Sequence, residues 1–238
     1  MPVSSSSARR RLNFKMKNFW NPFRASKPAG PKFPQFEAHF QPDGIASGSP
    51  PEIAGAPTDP LLAGFFQTYA GTSFNGGLYR VMNAATADFC RASLSLGFAN
   101  LVGQIRPFGY DWLGRIFALD AKRIVNGQPG VLMFELHADN ALDVPDNLLS
   151  FHESQIVNDP GPALAPKYFA DWLATGGAAP GLNQCIGSKV PFFLGGSDSL
   201  QNLELSDLDV YWSITTQLLE GVRGLAPGTR INKISISD

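Results

Sequence analysis

The sequence predicts an α+β fold: a mixed, mainly antiparallel sheet packed by several helices, with a disordered N-terminal tail. Three observations carry this. Turn signals at residues 111–114 and at Asn126-Gly127 are flanked by short apolar runs, as hairpins require. Several other segments combine helix start or stop residues with an apolar face at helical spacing. The two kinds of segment mix along the chain without an internal repeat, which suggests one domain from about residue 36 onward.

Residues 1–36 read as a disordered basic tail, with Ser4 to Ser7, Arg9 to Arg11 and Pro22, Pro28, Pro31 and Pro34. Phe14, Phe19, Trp20 and Phe23 alternate there with Lys15, Lys17 and Arg24, a pattern read as a floppy extension in preference to a membrane-surface patch. Residues 41–60 form a Gly- and Pro-rich linker. A helix follows over 59–69: Asp59 caps it, Pro60 suits its first turn, and Leu61, Leu62, Phe65, Phe66 and Tyr69 share a face. Asn75-Gly76 turns the chain into a strand ending near Val81, and residues 84–96 form a short helix.

Residues 102–108 and 115–119 are two strands joined at 111–114, where Gly114 suits a positive φ. A third strand covers 131–135. Helices follow over 146–155 and 166–175, the second with Tyr168, Phe169, Trp172 and Leu173 at helical spacing and a stop at Gly176-Gly177. Residues 184–194 are strand-like. Ser206 and Asp209 form a capping box that opens a last helix over 207–222. Pro227-Gly228 then turns into a final strand over 230–236.

The net charge of −1 hides an asymmetry: residues 1–36 hold eight Lys or Arg and no acid, whereas residues 37–238 hold eleven basic and twenty acidic residues. An acidic body disfavours direct nucleic-acid binding and suits a cationic protein partner. No apolar run approaches the ~20 residues of a membrane-spanning helix, and no apolar segment follows the basic start as in a secretory signal. Cys90 and Cys185 read as buried apolar residues in a reducing compartment.

Chemistry is sparse. His39, His137 and His152 lie in separate segments without metal-ligand spacing, and His152 reads as a surface or half-buried group. No nucleophile elbow occurs, and Gly195-Gly196-Ser197-Asp198 lacks the lysine of a phosphate loop and reads as a tight turn. Glu204, Asp207 and Asp209 cluster near the last helix; a hydrolase or hard-cation site is conceivable there, but helix-start roles account for them. Trp112, near a hairpin tip, is either an interface anchor or a lid over the core. The expectation is therefore a non-enzymatic protein with no cofactor and no metal.

Residues 103–120, Gly130-Val131-Leu132-Met133-Phe134-Glu135, residues 169–177, residues 189–196 and residues 203–212 together resemble one bacterial family. It is the C-terminal domain of type VI secretion DNase-immunity proteins. Residues 59–82, with Gly71-Thr72-Ser73-Phe74-Asn75-Gly76-Gly77-Leu78-Tyr79, resemble the GAD-like domain that precedes it. The hairpin at 109–114 with Leu119-Asp120 is also similar, more weakly, to the SUKH immunity superfamily. The resemblance divides the chain into a tail (1–36), a GAD-like part (37–100) and a continuous immunity-type part (101–238). It implies a cytoplasmic protein that binds and neutralises a cognate toxin, a cationic nuclease effector. The family carries no shared catalytic residues. The expected contact surface is Asp111, Trp112, Glu204, Asp207 and Asp209. Rival readings are a general interaction module, a hydrolase using Glu204 and a DNA-binding regulator acting through the tail.

Overall fold

In the computed structural model, which describes residues 32–52, 59–226 and 228–229, six strands pair in chain order into one antiparallel sheet. They are β1 (Ser73–Phe74), β2 (Tyr79–Val81), β3 (Ile105–Asp111), β4 (Ile116–Val125), β5 (Gln128–Glu135) and β6 (Asn140–Asn147). Two of the connecting turns are the ones expected. Asn75 and Gly76 both have positive φ between β1 and β2, as do Asn126 and Gly127 between β4 and β5. Because β2 pairs with β3, the two parts read as 37–100 and 101–238 build a single sheet.

Both faces of this sheet are covered. Phe117, Leu119, Val131 and Met133 point into one core, and Ile116, Ala118, Leu132 and Phe134 into the other. That is why β4 and β5 read as continuous apolar runs rather than as an alternation. The second core is roofed by α3 (Ala84–Gly97) and α8 (Leu208–Val222), through Ala87, Cys90, Leu94, Leu208, Tyr211 and Trp212. The first is closed by α2 (Pro60–Tyr69) and by helices that follow β6. Those are α4 (Leu148–Ser150), a π-helical segment Phe151–Gln155, α5 (Ile156–Asn158), α6 (Pro160–Leu164) and α7 (Pro166–Ala174). A separate hairpin, β7 (Gln184–Ser188) with β8 (Leu203–Asp207), leads into α8.

Local signals account for most helix starts. Asp59 accepts from the amides of Leu61 and Leu62, and Asn83 caps α3 through the amide of Thr86. The last helix starts differently from expectation. Its N-cap is Asp207, whose side chain makes no capping hydrogen bond, while Ser206 donates to the Asp207 carbonyl and Asp209 accepts from Val210. The capping box at Ser206 and Asp209 is therefore absent, because Ser206 is still paired with Cys185 in the β7–β8 ladder.

Three further expectations are corrected. Residues 33–36 do not belong to a disordered tail: α1 (Pro34–His39) seats Phe33, Phe36 and Phe40 in the first core. Residues 41–52 of the expected linker are strapped to the sheet. Pro42 bridges Phe74, the Ser47 amide donates to the Gly71 carbonyl, and Asp43 receives the amides of Gly76 and Gly77 at 2.6 and 2.8 Å. Residues 140–147 form edge strand β6, so the helix expected from 146 begins only at Leu148, capped by Asn147. An edge strand carrying Asp143, Pro145 and Asp146 shows no apolar alternation to reveal it. Residues 1–31, with the aromatic patch of the tail, and the strand expected over 230–236 lie outside the described residues.

His152, expected at or near the surface, is fully buried among Phe33, Phe36, Phe65, Phe108 and Phe151. Nδ1–H donates to the Leu148 carbonyl at 2.8 Å, and Nε2 accepts from the Tyr79 hydroxyl at 2.9 Å. That arrangement holds a neutral imidazole, and burial lowers its pKa to about 3.

Two outcomes follow. Phe36→Ala opens a cavity where an aromatic ring meets Phe40, Tyr69, Phe74 and Tyr79, and should cost about 3–5 kcal/mol in urea unfolding. A loss under 1 kcal/mol would return this segment to the tail. Below pH 6.5 the unfolded chain binds a proton at residue 152 that the folded chain refuses until about pH 3, so stability falls as pH falls through that window. From pH 6.5 to 5 the loss from this group should be about 2 kcal/mol, and His152→Gln should flatten the pH profile by that amount. An identical slope in both proteins would contradict the buried neutral imidazole.

Candidate functional site

The five residues expected to contact a partner separate into two groups. Asp111 and Trp112 are fully buried and are removed from the contact surface. Asp111 closes the β3–β4 connection: Oδ1 accepts from the amides of Leu113 and Arg115 at 3.1 and 2.9 Å, and Oδ2 accepts from Arg115 Nε and Nη2 at 2.8 and 2.7 Å. Burial raises the Asp111 pKa against the pull of Arg115, and the four N–H groups it receives define a carboxylate. Trp112 donates from Nε1 to the Leu164 carbonyl at 2.9 Å and packs on Phe169. It is the lid over the core, not the interface anchor. The turn points its side chain inward because α6 and α7 lie across it, which turn chemistry alone does not reveal.

Glu204, Asp207 and Asp209 are exposed, on β8 and on the first turn of α8. They belong to a longer stretch, residues 190–222, that contains five acids and neither Lys nor Arg. Asp207 and Asp209 line an open groove of about 350 Å³ between the first turns of α3 and α8. Asn83, Phe89 and Trp212 complete it, and Phe89 is 53% exposed. Val210 and Ile214 of α8 are also exposed. The groove thus joins an exposed aromatic ring to two carboxylates, a surface suited to a partner that brings both apolar and cationic groups.

The cationic side chains of the body mostly face inward or are already paired. Arg80 is fully buried, donating to the carbonyls of Gly181 and Asp111 and lying over the Tyr110 ring at 4.7 Å. Arg91, Arg123, Lys167 and Arg223 each have a carboxylate partner. These cations are thereby matched locally, while Glu204, Asp207 and Asp209 have no basic side chain among residues 190–222.

A second hollow of about 190 Å³ lies beside α8, walled by Arg115, Glu135, His137, Tyr168, Asp198 and Tyr211. None of these except Asp198, which falls in the tight turn, stood out as part of a constellation in the sequence, because they come from five separate stretches. The signal that could have found Asp198 is its place at the head of the lysine- and arginine-free stretch. Burial disfavours the charge on Arg115, but Asp111 and Glu135 outweigh it and raise its pKa. Burial lowers the pKa of His137, with Glu135 and Asp198 opposing and Arg115 assisting. Tyr211 lies across Gly187, where an added Cβ would stand 2.3 Å from the ring, so only glycine admits this wall.

Cys90 and Cys185 are both buried and unbonded, and burial pushes both thiols well above their usual range, away from the thiolate that nucleophilic chemistry needs. Among the described residues no three of His, Cys, Asp and Glu converge as a metal site. No helix among them is long and apolar enough to cross a membrane.

The molecule is thus an α+β protein whose antiparallel sheet lies between two helical layers. No family model matches the chain, and no curated protein matches it in sequence. A solved structure with a similar fold is that of Atu4351 from Agrobacterium tumefaciens, 13% identical, with a TM-score of 0.51 over 78% of this chain and 89% of that one. At that identity the likeness concerns the fold alone.

The division between frame and surface has a measurable consequence. Asp111→Ala leaves Arg115 buried without its main partner and should cost about 3–5 kcal/mol, read from the denaturant midpoint at unchanged m-value. Glu204→Ala, at the surface, should stay within about 0.5 kcal/mol. Equal effects would remove the distinction.

Proposed function

We propose that this chain is an immunity protein that binds a cognate bacterial toxin, a type VI secretion nuclease effector, and neutralises it by occupancy rather than by chemistry of its own. One observation carries the reading. The exposed carboxylates Asp207 and Asp209 border an open, partly apolar groove, and with the exposed Glu204 they fall in a stretch of 33 residues without a Lys or Arg. A nuclease must attract phosphate, so the surroundings of its active centre are cationic. An acidic surface that covers them excludes the nucleic acid and gains fast, electrostatically steered association. The exposed Phe89, Val210 and Ile214 supply apolar area that charge alone lacks. The resemblance of residues 59–82 and of the blocks between 103 and 212 to immunity proteins points the same way.

The test is co-expression with the adjacent gene, followed by pull-down and a growth assay. A toxic neighbour whose toxicity is relieved by a stable complex supports the reading. A non-toxic neighbour that does not bind counts against it. The surface assignment has its own test in the triple reversal Glu204→Lys, Asp207→Lys and Asp209→Lys. It should slow association with the toxin at least about tenfold at low salt and lose most of that effect at high salt. A triple variant that associates at the wild-type rate and protects fully would place the interface elsewhere.

A further inference from the structure

The hollow beside α8 has a charge balance that the acidic groove does not explain. Two carboxylates, Glu135 and Asp198, stand in its wall against one guanidinium, Arg115, whose own buried partner is Asp111. That guanidinium is committed: Nε and Nη2 donate to Asp111, Nη2 donates also to the Ala163 carbonyl at 2.8 Å, and Nη1 faces Glu135 at 3.5 Å. His137 adds no positive charge at neutral pH, since burial holds its imidazole neutral. The wall therefore carries a net negative charge of one, which disfavours an anion and favours a cation.

The remaining walls suit the same guest. Tyr168, Tyr211 and Phe192 offer aromatic surface, and Phe192 is held edge-on to His137 at 4.5 Å between ring centroids. The Tyr168 hydroxyl is buried without a hydrogen-bond partner and can accept from an incoming N–H. Asp198 stands exposed in a loop that is already fixed: Asn202 donates to the carbonyls of Val190 and Ser197 at 2.9 and 3.0 Å and accepts from the Val190 amide at 3.0 Å. A cavity of about 190 Å³ is roughly ten times what one water molecule needs, enough for a side-chain head and its stem.

We propose that this hollow is a receptor for a single cationic side chain, the guanidinium of an arginine or the ammonium of a lysine, presented by a protein partner. The preference for a cation stands on the pocket alone; the partner as its source rests on the immunity reading above. Glu135 and Asp198 pair with the cation, Tyr168 accepts one of its N–H groups, and the aromatic rings cover its stem. The partner thereby gains a desolvated anchor in addition to the open acidic groove, which by itself gives steering more than lifetime.

The experiment titrates the full chain at low ionic strength with N-acetyl-arginine amide, N-acetyl-lysine amide and N-acetyl-citrulline amide, followed by calorimetry and by NMR of the Tyr168 and His137 rings. The arginine or lysine amide should bind saturably in the millimolar range, and the neutral citrulline amide at least about tenfold more weakly. Asp198→Asn, at an exposed site that does not threaten folding, should weaken the cation about fivefold or more, and Tyr168→Phe should weaken it further. No saturable binding, equal binding of the citrulline amide, or wild-type affinity in both variants overturns the proposal. Free arginine, which carries a carboxylate, should bind more weakly than its amide; tighter binding would make a free amino acid the guest and overturn the partner assignment. A protein that rescues growth yet ignores both cationic amides refutes this pocket and leaves immunity standing. One that binds them but protects against no neighbouring toxin keeps the cation pocket and removes the toxin as its source.

Discussion

The buried pair between Asp111 and Arg115 closes the connection between β3 and β4, and much of the molecule is arranged around it. Arg115 ties this connection to α6 through the Ala163 carbonyl and to the end of β5 through Glu135. The next residue, Trp112, reaches the Leu164 carbonyl of the same helix, and Gly114 receives the indole N–H of Trp212 from α8. One turn therefore holds a helix from each side of the sheet. Two charges out of water are costly, and here the cost is offset by the four N–H groups that Asp111 receives and by the contacts of Arg115 to Ala163 and Glu135. Such a centre contributes little net stability against an apolar substitute, but it tolerates one arrangement of its neighbours and rejects others.

The sheet transmits that order. Its middle strands are apolar on both faces, so the helices above and below it are placed by packing rather than by their own caps. On one side the aromatic cluster around His152 draws in α1 and the strap that follows it. On the other, α3 and α8 lie side by side with their first turns left open, and this is where the acidic groove forms. The hollow under Asp198 uses Tyr211 of the same helix as a wall. The two candidate surfaces thus depend on where the first turns of α8 are held, and the indole of Trp212 on Gly114 holds them.

Electrostatics connects the frame to the proposed activity. The chain keeps Arg80 and Arg115 inside and pairs Arg91, Arg123, Lys167 and Arg223 with carboxylates, while leaving Glu204, Asp207 and Asp209 in water. Uncompensated surface charge costs compactness a little and favours oppositely charged partners much more. An open charged groove together with a smaller, partly aromatic pocket is the form expected of a surface that both attracts and retains a protein.

Much was determined by the sequence itself: the α+β class, the Asp59 cap, the paired positive-φ turns at Asn75-Gly76 and Asn126-Gly127, and the apolar faces of α2 and α8. These rest on interactions within a few residues, which sequence displays directly. The exposure of Glu204, Asp207 and Asp209 was legible for the same reason, since an unpaired carboxylate stays in water. Tertiary structure alone decided the rest. Edge strand β6 is polar because only one neighbour and one face restrain it, and α1 owes its place to three phenylalanines that find a core built by distant segments. Asp111 and Trp112 have the composition of a surface turn, and only the helices laid across them bury them. The pocket of Glu135, His137, Tyr168 and Asp198 exists solely by convergence of remote parts of the chain, and charge that gathers in space leaves no local pattern to read.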